Sequence, residues 1–585
     1  MILQNNSLAS LGFWLSACLY SGMKRMIMLL GTLLAGTLFA GNSASGDGGI
    51  SPDLLASTAP EADIILVYAD NDDDTSRRGR EDKVRAHGGK NYRHFQGAGV
   101  GALRANRALL EELRKDSKIR FIAPDRKISA YAGSASYDQP EVRTVLGLSS
   151  STTQTGAGVG VAVIDSGVNK LAGFGTSGAC STSRVVYSEN FASDSGTNDL
   201  YGHGSHVASI LGSSAACDAT YSTSAAPGVK IINLRVLNAF GIGSDSGVIA
   251  AIDRAIALQS TYNIKVMNLS LGRAVSGTFT NDPLCQAAER AWKAGIVVVV
   301  AAGNLGRYPG TNGYATIASP ANDPFLITVG AVRDPSNGLG TSRTDDTITS
   351  YSSKGPTMLD HVVKPDLVAP GNLMIARTVF PSTLTNLFPG NVKQFEDING
   401  NYFKLSGTSM AAPVVAAAAA LLIQKDSSLT PDQVKARLMK TAWKGMAATA
   451  SVYDSLTNTN FNIQQDLFTV GAGYLDVQAA LASTEKIGST QSAISPRAMV
   501  QNGHVVLTKS YPNLTGLNVI WGTNVIWGEN VIWGNNVLLA NNVIWGENVI
   551  WGTNVSSGYN VIWGDNVIWG DCNAFSVALT ASGDN

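Results

Sequence analysis

The stretch Gly407-Thr408-Ser409-Met410-Ala411-Ala412-Pro413 joins a small polar corner to the apolar run Val414-Val415-Ala416 to Leu422. The run predicts a buried helix, and a serine at its amino end predicts either a helix cap or a nucleophile. The first N–H groups of a helix have no carbonyl partner within it, and the helix dipole favours negative charge there. Pro413 is expected early in the helix, where a missing N–H is tolerated. Ser409 can act as a nucleophile only if a base, an orienting carboxylate and an oxyanion donor occur elsewhere.

Apolar runs bounded by turns alternate with helical patterns on the amino side of this stretch, which predicts a doubly wound, mainly parallel α/β sheet. In such a sheet, the loops at the carboxyl ends of the strands build the site. The predicted strands are residues 159–164, 230–237, 264–269, 295–301 and 325–329, and the predicted helices are residues 203–211, 247–259 and 283–294. A capping box at Thr430 with Pro431 predicts a further helix towards Ala442.

The length of 585 residues predicts two or more domains. With 43 basic and 44 acidic residues, the charge is balanced, so nothing indicates a nucleic-acid partner. Lys24-Arg25, the apolar residues 26–40 and a small-residue stretch up to 46 predict an export signal. The sequence therefore predicts a secreted protein, whether extracellular, periplasmic or at the cell surface.

The four cysteines beyond the signal are Cys180, Cys217, Cys285 and Cys572. In an oxidising compartment, a Cys180–Cys217 disulfide is favoured because both residues lie in Ser- and Gly-rich segments. The other two pairings of the four stay open.

Residues 62–130 form a separate α+β pattern. Strands are predicted at 63–68, 92–95 and 119–122, with helices at 76–86 and 103–115. The order β-α-β-α-β predicts a small ferredoxin-like sheet. Its histidines, His87 and His94, are interpreted as structural.

The carboxyl end contains a six-residue repeat, Asn-Val-Ile-Trp-Gly-x, over residues 518–571. Nine units, two of them degenerate, follow one another without a slip in register. A fixed short period predicts a β array, and three hexads per coil would build a three-coil β-helix. Stacking of the tryptophans inside the array is favoured over binding of a surface or carbohydrate ligand. Residues 486–517 are predicted as a linker and residues 572–585 as a tail.

A candidate base and a candidate acid precede the serine. His203 stands between two glycines ahead of an apolar helical run, and His206 in the same motif is interpreted as a structural neighbour. Asp165 ends the apolar run 159–164, where a buried carboxylate is costly unless it is paired. A simpler role for Asp165, capping the turn at Ser166-Gly167, is equally compatible with the pattern.

The candidate oxyanion donor is Asn304, which follows the apolar run 295–301 in Ala301-Ala302-Gly303-Asn304. A neutral amide at this place can donate a hydrogen bond to a developing oxyanion. Taken alone, Asn304 is also typical of a turn that closes a strand.

The order Asp165, His203, Asn304, Ser409 resembles the subtilase family of subtilisin-like serine proteases. The resemblance is carried by Val-Ile-Asp-Ser-Gly-Val, His-Gly-Ser-His-Val-Ala, Ala-Ala-Gly-Asn and Gly-Thr-Ser-Met-Ala-Ala-Pro, and by the segment at residues 364–371. It covers residues 131–485 and implies a subtilisin-like α/β peptidase domain. It also implies that Asp165 orients, His203 acts as the base, Ser409 is the nucleophile and Asn304 donates to the oxyanion.

Further residues are implied by the same resemblance to bind an extended peptide. They are Ser270, Leu271 and Gly272 on one edge, Gly241 and Gly243 on the other, and Gly303 and Ala318 at the pocket. A small apolar floor at Ala318 implies a preference for apolar or medium-sized residues before the scissile bond. Arg273 stands where the family often has a second glycine.

The module at residues 62–130 then resembles the inhibitory propeptide of the family, which the enzyme removes from itself. The cut is expected between residues 130 and 139. No cofactor is implied for the chemistry. Calcium sites are frequent in the family, but the sequence assigns no ligands, so the metal stays open.

Two functions follow as hypotheses. The first is an exported serine endopeptidase that acts on proteins and peptides and matures by self-cleavage. The alternative is a surface or ligand-binding repeat protein in which the protease domain mainly serves maturation.

Overall fold

The structure is a computed structural model, and it describes the following parts of the chain. They are residues 49–69, 74–95, 99–130, 146, 148, 153–170, 174–176, 179–214, 224–334, 343–393, 402–454, 459–488, 491–501, 504–508, 518–519, 548–551 and 561–564. The predicted export signal, Cys217, Cys572 and most of the hexads lie outside these residues.

The amino-terminal module is a five-stranded sheet with the strand order β1-β5-β2-β4-β3. Its strands are β1 (Gly49–Ile50), β2 (Glu61–Tyr68), β3 (Lys90–Phe95), β4 (Val100–Asn106) and β5 (Ile119–Pro124), and its helices are α1 (Pro52–Ala56), α2 (Asp74–Ala86) and α3 (Arg107–Arg114). From β2 onwards the order is β-α-β-β-α-β, so the ferredoxin-like module contains β4 and β1 in addition to the three predicted strands.

The predicted helix at residues 103–115 was wrong in its first turn. Residues 103–106 belong to β4, and α3 begins at Arg107 because the side chain of Asn106 caps it by accepting a hydrogen bond from Leu109 N at 2.8 Å. The module also begins earlier than predicted, since β1 and α1 lie in the segment interpreted as a linker.

The predicted parallel sheet is present as an eight-stranded sheet. Its strands are β7 (Gly160–Asp165), β10 (Val185–Asn190), β11 (Lys230–Arg235), β13 (Ile264–Leu269), β15 (Val297–Ala301), β16 (Ile327–Arg333), β17 (Thr347–Ile348) and β18 (Leu367–Pro370). They lie in the order β10-β11-β7-β13-β15-β16-β17, with β18 also paired to β16. All these pairs are parallel except β16–β17. All five predicted strands are present, whereas β10 and the shorter strands β17 and β18 were not predicted.

Helices cover the sheet in two groups. The helices are α4 (His203–Gly212), α5 (Asp245–Ala257), α6 (Gln259–Tyr262), α7 (Pro283–Lys293), α8 (Thr383–Leu387), α9 (Thr408–Lys425), α10 (Pro431–Thr441), α11 (Leu467–Val470) and α12 (Val477–Ala482). Helix α9 packs on β13, β15, β16 and against α4, whereas α5 packs against α7. Every residue of β15 is buried, as expected for a parallel strand covered on both faces.

Among the described residues, α9 is the one helix whose length and composition would suit a membrane span. It is instead a helix of the protein core, since 89% of this apolar segment is buried inside the protein. The capping box predicted at Thr430 starts α10, where Thr430 Oγ1 accepts from Gln433 N at 3.2 Å.

Part of the predicted linker 486–517 belongs to the core. Ala493, Ile494 and Ser495 are buried, and Ser495 N donates to Pro324 O at 2.9 Å. This segment packs against the sheet because its apolar side chains fill space beside β16 and α10. Strands β24 (Gln491–Ser492), β25 (Arg497–Gln501) and β26 (His504–Thr508) follow there.

The hexad repeats are described only in short pieces. Strand β27 (Asn518–Val519) pairs with β24, and β28 (Asn548–Trp551) pairs antiparallel with β29 (Val561–Gly564). The antiparallel pair differs from the parallel coils of the predicted β-helix, because a hexapeptide coil stacks equivalent strands in the same direction. The remaining hexads lie outside the described residues.

The remaining strands form small two- and three-stranded sheets. They are β6 (Lys127–Ala130), β8 (Gly175–Thr176), β9 (Ala179–Ser183), β12 (Ile242–Ser244), β14 (Leu271–Gly272), β19 (Met374–Arg377), β20 (Val392–Lys393), β21 (Tyr402–Leu405), β22 (Thr449–Asp454) and β23 (Thr459–Gln464).

Candidate active site

The sequence-predicted residues meet at the edge of the main sheet where its parallel strands end. Asp165 is the last residue of β7, and Asn304 follows β15 by three residues. His203 opens α4 and Ser409 is the second residue of α9, and these two helices pack against each other.

Asp165 and His203 form a direct pair. The Nδ1 atom of His203 lies 2.7 Å from Asp165 Oδ1, and both side chains are fully buried. The same oxygen accepts from the backbone N–H of Ser166 at 2.7 Å, so the turn-capping role and the orienting geometry occur together. With Nδ1 engaged, Nε2 of His203 is the free nitrogen, and it makes no hydrogen bond to any described residue.

Ser409 is held against the strand edge by Ser270. Its Oγ lies 3.1 Å from Ser270 O, and its own carbonyl oxygen accepts from Ser270 Oγ at 2.8 Å. Among the described residues, no hydrogen bond joins Ser409 Oγ to Nε2 of His203.

Pro413 does not lie where the sequence placed it. It is the sixth residue of α9 and therefore stands past the first turn. Proline has no N–H, so the carbonyl of Ser409, four residues earlier, has no helical partner. That carbonyl is the one that Ser270 Oγ reaches.

The side-chain amide of Asn304 has a defined orientation. Its Oδ1 accepts from Thr408 N at 3.0 Å and from Thr408 Oγ1 at 2.9 Å. Because the backbone N–H is only a donor, the oxygen must face Thr408, and Nδ2 must point away from it. Nδ2 is buried and makes no hydrogen bond within the described chain. An N–H donor without a partner therefore lies beside the start of α9.

A strand of the amino-terminal module fills the groove beside these residues. Strand β6 lies between β12 and β14 and pairs antiparallel with both. Ser129 pairs with Ile242 on one side and with Gly272 on the other, while Ala130 pairs with Leu271. The predicted substrate edges are thus the two strands that hold an extended peptide here.

Comparisons with known proteins agree with this geometry. A sequence profile of the Subtilase family matches residues 156–473. The chain belongs to the subtilase family. Serine protease AprX of Bacillus subtilis is 35% identical over 344 residues, which cover 56% of this chain and 70% of that protein. Subtilisin E of the same organism is 29% identical over 394 residues, covering 67% of this chain and 88% of that protein.

Fold similarity extends to a solved subtilase. Fervidolysin from Fervidobacterium pennivorans, described as a keratinolytic enzyme related to subtilisin, aligns with a TM-score of 0.55 and 21% identity. That alignment covers 76% of this chain and 64% of fervidolysin. The predicted subtilisin-like α/β fold is confirmed, and the protein is a subtilisin-like serine endopeptidase.

The subtilase contains a small cavity next to Asn304. Ala318, Gly303, Val275 and Ile317 are among the residues that line it. Gly303 has φ of +107°, and a Cβ there would lie 2.9 Å from Ser353 Oγ, so only glycine fits. Ala318 and Gly303, both predicted as pocket residues, line the same cavity. Gly241, by contrast, precedes β12 and is not part of the strand that pairs with β6.

One residue that supports the site was not found from the sequence. Asp199 is fully buried and accepts from Ser166 Oγ, Gly202 N and Ser205 N at 2.8, 2.7 and 2.8 Å. Burial raises the pKa of Asp199, although these three donors act in the opposite direction. It joins the turn after Asp165 to the turn before His203. The only signal in the sequence was an aspartate four residues ahead of His203.

Other polar predictions have simple outcomes. His206 is buried, and its Nε2 lies 2.8 Å from Phe403 O, in agreement with a structural role. Cys285 is a buried free thiol, which contradicts any disulfide between it and Cys180, Cys217 or Cys572. The Cys180–Cys217 pair lies outside the residues with described side chains.

No metal site is assigned. The described residues contain no group of three or more His, Cys, Asp or Glu side chains that could hold a metal ion. Whether the protein binds calcium therefore stays open, as in the sequence analysis.

Proposed function

We propose that the protease is exported, acts through Asp165, His203 and Ser409, and matures by removing its own amino-terminal module. The observation that carries the proposal is the Asp165–His203 pair at 2.7 Å, formed at the start of α4, which packs against α9 with Ser409 as its second residue. A carboxylate on Nδ1 leaves Nε2 as the basic nitrogen, which is the arrangement that activates a serine.

The chemistry follows from these atoms. The Nε2 atom of His203 takes the proton of Ser409 Oγ while that oxygen attacks the scissile carbonyl carbon. The oxyanion is stabilised by Nδ2 of Asn304 and by the backbone N–H of Ser409 in the first turn of α9. His203 then gives the proton to the leaving amine, and water hydrolyses the acyl-enzyme through the same base.

The hydroxyl of Ser409 must turn for this step. In the described arrangement it lies 3.1 Å from Ser270 O, the carbonyl of the residue that directly precedes β14. A bound peptide whose N–H donates to Ser270 O would compete for that carbonyl and release the hydroxyl towards His203.

Strand β6 supports an inhibitory role for the amino-terminal module. It pairs with both edges of the groove, and Ile128 is buried in the main core. Main-chain pairing with alternate side chains in pockets is the general mode by which a sheet edge binds an extended peptide. The module would therefore block the site until it is cut.

The small cavity supports a preference for apolar or medium-sized residues before the scissile bond. Val275, Ile317 and Ala318 contribute apolar surface to it. Export is supported by the sequence of residues 1–46 and by one relative, the Extracellular serine proteinase of Thermus sp. strain Rt41A, which is 32% identical over 350 residues.

The expected cut follows from the register. Ala130 pairs with Leu271, and Ser409 contacts Ser270, one residue before Leu271. One more antiparallel pair would bring the residue after Ala130 level with Ser270. We therefore expect cleavage after residue 131, within the predicted range 130–139.

Ser409→Ala tests the proposal. The purified variant should keep its amino-terminal module, because no other group can form the acyl-enzyme, whereas the natural chain should yield a product that starts at residue 132. Intact mass and amino-terminal sequencing measure both. Ser213→Ala, a buried serine at the far end of α4, is the control and should process normally. Removal of the module from purified Ser409→Ala would refute self-cleavage by this site.

A further inference from the structure

The two edges of the peptide groove are joined behind it by one side chain, Arg273. Arg273 directly follows β14 and is 6% exposed. Its Nε lies 2.8 and 3.0 Å from the two carboxylate oxygens of Asp245. Asp245 directly follows β12 and opens α5. The guanidinium of Arg273, directly after β14, therefore binds the carboxylate of Asp245, directly after β12.

The same guanidinium also reaches the wall of the pocket. Arg273 Nη2 lies 2.7 Å from Asp282 Oδ1, and Asp282 Oδ2 accepts from Ser319 Oγ at 2.8 Å. The backbones of Arg273 and Ser319 exchange two hydrogen bonds, at 3.0 and 2.8 Å. Ser319 follows Ala318, so the contacts of Arg273 extend from the groove to the cavity.

The link matters because nothing else described pairs the two edges with each other. Strands β12, β6 and β14 form a sheet of three strands, with β6 in the middle. When β6 leaves, β12 and β14 lose the strand between them, and β12 is only three residues long. The contacts of Arg273 do not involve β6, so they can persist in the emptied groove.

Charge and burial make this link strong. Burial alone would lower the pKa of Arg273, but the adjacent carboxylates of Asp245 and Asp282 together raise it above its ordinary value. A planar guanidinium can contact two carboxylates at fixed angles, which a lysine cannot. Removing one partner of such a buried pair leaves the other charged group without compensation.

We propose that Arg273 is a positioning residue for peptide binding, which fixes the distance between the two edge strands of the groove. The inference rests on the proposed function, because it assumes that an extended substrate binds in the position that β6 occupies here. Arg273 also lines the small cavity. The proposal therefore predicts a larger loss of binding for long peptides, which span both edges, than for substrates that reach only the pocket. A purely structural ion pair would make no such distinction.

The test compares two chromogenic amide substrates on the self-processed enzyme. They share the residue before the scissile bond, and one carries that residue alone while the other carries five residues. Arg273→Met should raise KM for the five-residue substrate about tenfold, since small misplacement of binding groups costs one to two orders of magnitude. The KM for the one-residue substrate should change less than about twofold, so the ratio of the two KM values should rise.

Two further variants sharpen the result. Arg273→Lys should recover only part of the long-substrate KM, because an ammonium cannot contact both carboxylates in the same geometry. Asp245→Asn should raise the same KM, and combining it with Arg273→Met should add little, as expected for two residues of one contact.

Lys435→Met is the matched control. Lys435 is a buried cation 3.2 Å from Asp366, and it contacts Pro324 O and Ser495 Oγ instead of the groove. It should lower Tm without changing the ratio of the two KM values. An unchanged ratio in both Arg273→Lys and Arg273→Met, or an equal change in Lys435→Met, would overturn the proposal. Activity retained in Ser409→Ala would instead refute the proposed triad, so the two failures are distinguishable.

Discussion

Pro413 shows how a single residue acts on the candidate nucleophile without touching the reaction. Because Pro413 lacks an N–H, the carbonyl of Ser409 stays available, and Ser270 Oγ donates to it at 2.8 Å. Ser270 in turn accepts from Asn268 Nδ2 at 2.9 Å. A helix irregularity therefore becomes the attachment that positions Ser409 on the strand edge.

His206 makes the stability of the protein sensitive to acid. It is fully buried, and burial lowers its pKa to about 3, while the unfolded chain binds a proton below a pKa of about 6.5. As the pH falls below 6.5, protons therefore favour the unfolded state. The contribution is complete above pH 6.5 and is lost progressively towards pH 3, with a slope of up to about 1.4 kcal/mol per pH unit.

The prediction is measured by urea unfolding at pH 7 and pH 5 in a Ser409→Ala background, which prevents self-digestion. Between these pH values, His206 should contribute a loss of about 2 kcal/mol in the free energy of unfolding. His206→Gln keeps an N–H donor for Phe403 O but cannot titrate, so its loss should be smaller by that amount. Equal losses in the two proteins would contradict the assignment.

At the scale of elements, the side chains of β2 alternate between two hydrophobic cores, that of the amino-terminal module and that of the protease. Ile64, Leu66 and Tyr68 face the core of the module, whereas Ile65 and Val67 join the main core. Because side chains of a strand alternate between faces, one strand can stabilise its own sheet and also dock on the protease. The pairing of β6 with β12 and β14 adds a second attachment.

Ser129→Pro should weaken that second attachment. In a central strand, each N–H points to one of the two neighbours, and proline removes a donor from the ladder. The fraction of freshly purified enzyme with an accessible site should therefore rise, as titrated with an irreversible serine-directed inhibitor. Ser129→Ala, which keeps the N–H, should behave as the natural chain. An equal accessible fraction in both variants would show that β6 does not block the site.

At the scale of the whole molecule, the peptidase core extends past residue 485. Ser495 Oγ lies 2.5 Å from Asp366 Oδ1 and 2.9 Å from Lys435 Nζ, and both of those side chains are fully buried. Ile494 and Ala498 add apolar contacts in the same segment. The hexad array begins only after this segment, so core and array are separate parts of the sequence.

Two truncations test this division. A chain that ends at residue 508 lacks the array and should keep proteolysis and nearly all of its Tm, because the buried segment is retained and only the pairing of β24 with β27 is lost. A chain that ends at residue 488 loses Ser495, which contacts both Asp366 and Lys435, and its Tm should fall by about 5 °C or more. Equal Tm values for the two would contradict the extended core. Lost polysaccharide or surface binding by the chain ending at 508, with unchanged proteolysis, would favour the repeat-binding alternative.

Much of the fold and of the candidate site could be predicted because the signals are local. An apolar run followed by a polar residue marks the end of a buried strand, as at Asp165 and Asn304, and parallel strands end at one edge of a sheet. The missed elements had weak local signals. Residues 103–106 carry a helical pattern but form β4, because pairing with β2 and β3 outweighs it.

The sequence by itself determined the subtilase family, the parallel sheet and the four residues of the proposed chemistry, starting from the stretch Gly407–Pro413. Only the tertiary structure decided what those residues touch. Arg273 contacts Asp245, 28 positions away in the sequence, and Ser166 contacts Asp199, 33 positions away. Neither contact produces a periodic pattern in the sequence. Such contacts depend on how packed elements place side chains in space, whereas sequence patterns report only which face of an element is buried.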